Sequence, residues 1–306
     1  MRTGYDENDP TRPPFMLPRL EGSALGVVGQ LSSLNDEGFL SLWKGHTAKW
    51  LYDMSHLLLQ PSIEGLFNDI LGLSDEQIPL IHLDHPGASL ATLVASHTVT
   101  GLFLSPLELV RTRYMILTLV AQTSNPFHKK YRGVFHCLRT SIAEEGLSAI
   151  YLGRNLIPTL LFHSITPFFK YSTDLIIVRL LGISFDDAPF RYSLCELALH
   201  TLELLITLPL ETIRRRLQCQ VVARIPGDLE LSTVVERSPI PYAGIGNCAW
   251  RIVFEEGGST SSAPPSWWST WGFKGLYKGF RMRLVASIGL TSLQQIAEVM
   301  ELEDSR

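Results

Sequence analysis

The sequence predicts an all-α membrane protein: a bundle of long helices generated by an internal repeat. Three observations carry this. The octapeptide Pro106-Leu-Glu-Leu-Val-Arg-Thr-Arg113 returns 103 residues later as Pro209-Leu-Glu-Thr-Ile-Arg-Arg-Arg216, with proline, glutamate and two arginines at identical spacing. Pro86 to Leu107 is a run of 22 residues without Lys, Arg, Asp or Glu, which meets the roughly 20-residue requirement of a bilayer core. The segments after both octapeptides are basic, whereas the connection 74–85 is acidic. That is the charge asymmetry of a chain whose two ends face different compartments.

The self-similarity extends downstream. The first octapeptide is followed by Tyr131-Arg-Gly133, Cys137, Glu144-Glu-Gly146 and Tyr151-Leu-Gly153. The second is followed by Tyr242-Ala-Gly244, Cys248, Glu255-Glu-Gly257 and Tyr277-Lys-Gly279. A partial copy near the start has Glu37-Gly38 and Trp43-Lys-Gly45. Gly38 to Gly45 is seven residues, as is Gly146 to Gly153. A repeat of about 100 residues sets the architecture ahead of any local reading. It divides the chain into a segment 1–22, a partial first repeat 23–83, a second repeat 84–185 and a third 186–306.

Taken in order, residues 1–22 are charged, Pro-rich and aperiodic, the composition of a disordered segment. Leu25, Val28, Leu31 and Leu34 recur at three-residue steps, the stripe of a short amphipathic helix. The first long helix is expected near 46–73. Its Lys49, Asp53, His56, Gln60, Glu64 and Asp69 mostly fall three or four apart and so share a face. Pro61 is expected to kink or break it. The second span is expected near 86–117, the third near 154–181 with bends at Pro158 and Pro167, the fourth near 191–219 and the last near 280–300. In the fourth, Glu196, His200 and Glu203 form one polar face, which in a membrane segment looks into a cavity or an aqueous cleft. The last is the most polar, with Gln294, Gln295 and Glu298. Residues 258–272 are a low-complexity insertion that stretches the Gly257-to-Gly279 step to 22 residues. Its Trp267, Trp268 and Trp271 suit a membrane interface, or the stretch is a flexible linker.

Composition narrows the function. Hydrophobic residues make up 45% of the 306 and mean hydropathy is +0.14, which fits helices with one polar face. A net charge of −4 argues against nucleic acid as partner. The four cysteines, Cys137, Cys195, Cys219 and Cys248, include no C-x-x-C pair, so neither a zinc site nor a disulfide framework is indicated. His82, Asp84 and His85 are close in sequence but sit in a loop without further ligands. No nucleophile–base pair or phosphate loop appears, so no enzyme, cofactor or metal is expected. There is no secretory signal, and Asp6, Glu7 and Asp9 are wrong for a cleavable mitochondrial presequence.

The ordered motifs (proline, acid and base, then acid-Gly, then aromatic-x-Gly) resemble the mitochondrial carrier family over roughly residues 23 to 300. The resemblance implies a pseudo-threefold bundle of membrane helices. Pro106 and Pro209 would kink two of them, and Gly38, Gly45, Gly146, Gly153, Gly257 and Gly279 would mark the repeat turns. Glu108, Arg111, Glu211 and Arg214 would belong to a ring of inter-repeat ion pairs closing one end of the cavity. The acid and base of each set are three apart, on one helix face. Only 22 residues precede the first surface helix, without an apolar span, so the first helix is expected to be missing and five membrane helices are expected. In that ring Glu108 would pair with Arg214, while Arg111 and Glu211 would lose their family partners. The family's second set of pairs, aromatic-acid-x-x-base at the other end, is also degenerate. Tyr52-Asp-Met-Ser-His56 comes too early in its helix, and Tyr171-Ser-Thr-Asp174 lacks the base. His163 is either a ligand group or a structural histidine.

Two readings follow. Leu208-Pro-Leu-Glu-Thr-Ile-Arg-Arg-Arg-Leu-Gln218 has Glu where metabolite carriers usually have Asp, and resembles the Ugo-type branch of the family in the fungal mitochondrial outer membrane. That likeness implies a non-transporting scaffold for mitochondrial fusion. Its partners would be the bilayer, a mitofusin-type and a dynamin-like fusion GTPase, and a second copy of the chain to fill the open wall. The alternative is an inner-membrane metabolite carrier whose N-terminus is truncated.

Overall fold

A computed structural model describes residues 26, 29, 45–73, 79–118, 133–185, 187–220, 242–254, 275–277 and 279–304. Within them lie α1 (His46–Leu71), α2 (Pro86–Phe103), α3 (Ser105–Thr118), α4 (Val134–Glu145), α5 (Leu147–Leu152), α6 (Leu156–Leu175), α7 (Pro189–Cys219), α8 (Ile245–Phe254) and α9 (Phe280–Asp304). A 3-10 turn, Leu80–His82, precedes α2, and a π-helical turn, Ile176–Leu180, extends α6. The described residues contain no strand. Of the short helix expected over 23–35, only Gly26 and Gly29 are described, both helical. Gly38, Gly257 and the insertion 258–272 lie outside the described residues.

Neighbouring elements pack in sequence around the bundle. α1 lies on α2 and α3, α2 on α6, α6 on α7, and α7 on α9, while α3 crosses to α7. Polarity is inverted relative to a water-soluble core. The buried residues of α2 are Thr92, Ser96, Thr100 and Gly101, small residues that let helix backbones approach closely in lipid. Large apolar side chains point outward instead, among them Leu57 and Leu58 on α1, Leu194 and Leu202 on α7, and Leu290 and Leu293 on α9. By length and hydropathy α7 qualifies alone as a membrane span, and α2 with α3 qualifies as one bent span. α1, α6 and α9 have 26, 20 and 25 residues but their described residues hold no 18-residue stretch apolar enough to qualify.

The three prolines behave differently. Pro61 does not break its helix as expected: α1 runs uninterrupted past it. The residue is exposed, and a ring on the outward side of a helix costs one backbone bond without forcing a break. At Pro106 the uncharged run is split, and α2 and α3 meet at a 56° bend. At Pro209 α7 continues for 31 residues. A proline strips the carbonyl four residues earlier of its amide donor. In α7 that carbonyl is Leu205, and the Tyr277 hydroxyl donates to it at 3.1 Å. Beside Pro106 the Tyr151 hydroxyl donates to the Phe103 carbonyl at 3.2 Å. Tyr151 and Tyr277, of the Tyr-x-Gly triplets that follow the acid-Gly motifs, thus each serve a carbonyl beside their own repeat's proline. Pro158 sits in the first turn of α6, where proline is tolerated, and Pro167 lies inside α6, which runs unbroken from Leu156 to Leu175.

The repeat glycines divide by cause. Gly45 and Gly279, ahead of α1 and α9, have φ of 83° and 91°, the left-handed region that disfavours a side chain. Gly153, ahead of α6, has an ordinary φ of −77°, but a Cβ there would lie 2.1 Å from the Ala149 carbonyl oxygen.

Cys137 and Cys248 are the matching core residues of the two surface helices α4 and α8, both fully buried. Cys137 packs with Val110 of α3, and Cys248 with Ile213 and Leu217 of α7. The surface helices therefore sit under the C-terminal halves of the proline-bearing helices, at one end of the bundle.

Candidate functional site

At the level of Pro106 and Pro209, α3 and α7 face each other across the bundle interior. Glu108 Oε1 lies 2.6 Å from Arg214 Nη2, and Arg214 Nη1 donates to Glu108 Oε2 at 3.0 Å. Both side chains are buried. A two-pronged guanidinium–carboxylate contact is the strongest geometry such a pair can take. The Arg214 guanidinium also lies 3.8 Å from the centre of the Phe162 ring on α6, a cation–π contact. His163 Nε2 is 3.4 Å from Glu108 Oε2 and 3.2 Å from Arg214 Nη1. His163 therefore lies against a buried ion pair and not on an apolar face.

The other two charges of the repeat do not join this pair. Glu211, one turn before Arg214, is held by Arg215 of its own helix and by Arg283 of α9, each at 2.5 Å. Its carboxylate is buried and turned into its own repeat. Arg111, half-buried, has no ion-pair partner among the described residues. Tyr52 of α1 lies within electrostatic reach of Glu108, Arg214 and Arg111, on the same floor.

A second buried arginine lies below the floor. Arg113 is 1% exposed, which for a guanidinium demands that every donor be used. It donates to both oxygens of Glu145 at 2.7 and 3.0 Å, to Ser141 Oγ at 3.1 Å, and to the carbonyls of Gln218 and Gln220 at 2.9 and 3.2 Å. Thr112 adds a bond to Gln218 Oε1 at 2.8 Å, and Arg154 reaches the Tyr242 carbonyl at 2.7 Å. Two successive repeats are thereby stapled together. The sequence reading did not single out Arg113, Glu145, Phe162 or Arg283. The available signal was that Arg113 closes the repeated octapeptide and Glu145 belongs to the repeated acid-Gly motif.

The opposite end is joined by different chemistry. His97 Nε2 lies 3.1 Å from the Tyr171 hydroxyl, and His97 stacks on His56 with ring centres 5.4 Å apart. Tyr192 donates to Asp174 at 2.9 Å, and Gln295 donates to Ser193 at 2.6 Å. Arg179 donates to the Ile81 carbonyl at 2.7 Å and also to the Leu83 carbonyl, tying the end of α6 to the turn before α2. On α7, His200 and Glu203 pair within the helix at 2.9 Å. Among the described residues, no group of three or more His, Cys, Asp or Glu is placed to hold a metal ion.

The described residues thus form an all-helical bundle, apolar outside and polar inside, with two proline-bearing helices joined by an ion pair over amphipathic surface helices. Residues 84–181 of this chain match the family model described as mitochondrial carrier protein. Among its relatives, the mitochondrial coenzyme A transporter SLC25A42 of Homo sapiens is 27% identical over 259 residues, 82% of this chain and 66% of the relative. The mitochondrial fusion and transport protein UGO1 of Saccharomyces cerevisiae is 22% identical over 309 residues, 96% of this chain and 58% of the relative. The mitochondrial thiamine pyrophosphate carrier 1 of Candida albicans is 29% identical over 215 residues, 65% of this chain and 62% of the relative. The chain spans 58–66% of the length of these relatives. None of the three is an enzyme, and each is mitochondrial by name.

Proposed function

We propose that this protein is a carrier-derived scaffold of the mitochondrial outer membrane that supports membrane fusion and moves no metabolite. Its partners in this reading are the fusion GTPases of the two mitochondrial membranes, one mitofusin-type and one dynamin-like. The observation that carries the reading is the difference between the two ends of the bundle. Alternating access needs a barrier that closes and opens on each side of a central site. One end has a buried, doubly hydrogen-bonded Glu108–Arg214 pair. At the other, Tyr171-Ser-Thr-Asp174 offers no base, and its tyrosine is engaged with His97. Glu211, the second acid of the floor, is held by Arg283 within its own repeat. The match to the fusion and transport protein also extends over 96% of the chain, further than the matches to the two carriers.

The test has two arms. Loss of the gene is expected to fragment the mitochondrial network, with the protein protease-accessible on intact mitochondria. Proteoliposomes of the pure protein are expected to show no exchange above background. Saturable uptake of coenzyme A, thiamine pyrophosphate or ATP would establish the metabolite-carrier reading in its place, which the transporter names among the relatives support.

A further inference from the structure

The Glu108–Arg214 pair is gripped by a third helix. We infer that Phe162, His163 and Gly101 form an interlock that bolts this pair to α6 and α2, so that the floor opens only if the ring stack on Arg214 or the His163 contacts on Glu108 and Gly101 break together with the ion pair. The inference rests on the non-transporting reading and supplies its mechanical cause.

The grip has three parts. The Phe162 ring covers one face of the Arg214 guanidinium at 3.8 Å, and a cation on an aromatic face gains most where water is excluded. His163 stands edge-on to Phe162, with ring centres 5.5 Å apart at 87°, and brings Nε2 to both members of the pair. One ring nitrogen cannot serve both at once. With the proton on Nδ1 it accepts from Arg214; with a proton on Nε2 it donates to Glu108. Either state bridges α6 to the pair. Gly101 is the third part. A Cβ there would lie 2.2 Å from His163 Cγ and 2.5 Å from Cδ2 and Nδ1, so the imidazole is pressed against the α2 backbone with no room to withdraw. The Thr98 hydroxyl, which donates to the Val94 carbonyl of its own helix at 2.7 Å, lies against the same stretch of α6, 3.0 Å from Ser164 Oγ and 3.3 Å from the His163 carbonyl oxygen.

Four elements, α2, α3, α6 and α7, therefore meet at one point. An alternating-access bundle opens by moving one set of helices against another. Parting α3 from α7 breaks the ion pair and, with it, either the Arg214–Phe162 contact, where α6 stays with α3, or the His163 contact to Glu108, where α6 stays with α7.

The test uses the full chain in proteoliposomes, with Cys137, Cys195, Cys219 and Cys248 replaced by serine and one reporter, Thr159→Cys. Thr159 is 1% exposed, one turn before His163. A membrane-impermeant maleimide is added, and uptake of coenzyme A and ATP is followed in parallel. The parent reporter is expected to stay protected. Phe162→Leu with His163→Gln, and separately Gly101→Ala, are expected to raise the labelling rate at least tenfold. Phe162→Leu nearly conserves volume, and a monodisperse elution profile separates loosening from misfolding. Glu108→Gln is the positive control. If Glu108→Gln exposes the reporter and neither interlock variant does, or if the parent labels as fast as the variants, the interlock is refuted and the scaffold reading stands. Saturable uptake by the parent refutes the scaffold reading whatever the labelling.

Discussion

Glu108 and Arg214 are each expensive to bury alone, and that cost makes the pair testable. Removing one partner by Glu108→Gln or Arg214→Met is expected to destabilise the protein by about 3–5 kcal/mol, the usual cost of an uncompensated buried charge. Exchanging the charges, Glu108→Arg with Arg214→Glu, is expected to recover part of the loss. Thermal unfolding in detergent of both singles and the double reads the coupling, and additive effects would refute the contact. Arg113 and Arg111 provide the contrast. Arg113→Met removes one donor from the Glu145 carboxylate and from the Gln218 and Gln220 carbonyls, and a cost of about 3–5 kcal/mol is expected for breaking a buried pair. Arg111→Met removes a half-buried cation with no described ion-pair partner and is expected to change stability by about 1 kcal/mol or less. Two arginines two positions apart thus have opposite consequences, because only one is enclosed.

The helices show how a repeat keeps a proline while losing little. In α7 the Pro209 ring leaves the Leu205 carbonyl unserved, and the Tyr277 phenol replaces the missing amide. Tyr277→Phe is expected to cost about 1 kcal/mol, the typical net worth of one hydrogen bond. In a Pro209→Ala background an amide again reaches Leu205, and Tyr277→Phe is expected to become nearly silent. Unfolding midpoints of the four proteins decide it; an equal cost in both backgrounds would mean that Tyr277 acts by packing alone. At Pro106 the carbonyl served is Phe103, at the break itself. The same cap therefore accompanies a 56° bend in one repeat and a continuous helix in the other.

The whole molecule has two unlike ends, and orientation follows. α4 and α8 both lie under the C-terminal halves of the proline-bearing helices, and Arg113 and Arg154 reach across the repeat boundary beside them. Phe135 on α4 and Trp250 on α8 are 74% and 55% exposed, so single cysteines at these positions can be reached by an impermeant reagent. Both are expected to label from the same face of sealed vesicles and neither from the other. Labelling from opposite faces would overturn the topology. The outward apolar surface of α1, α7 and α9 has no counterpart in a water-soluble bundle, and the protein is expected to remain in the membrane pellet after carbonate extraction.

By itself the sequence determined the helical class, the 100-residue period and which residues of each helix share a face. These depend on spacing along one chain, and a helix turns spacing into direction without reference to any neighbour. It also pointed to Glu108 and Arg214, because a repeated charge inside an apolar segment has few places to go. The tertiary structure alone decided who meets whom. Glu211 turns to Arg283 of α9, 72 positions away, and Arg113 finds Glu145 and the end of α7. The same structure sets Phe162 and Gly101 around the floor pair, and it decided that Pro61 leaves its helix whole while Pro106 breaks one. The physical reason is common to all of these. A buried charge or a freed carbonyl must find a partner, but which partner lies within about 3 Å is a property of how helices pack, and no periodicity within one helix records it.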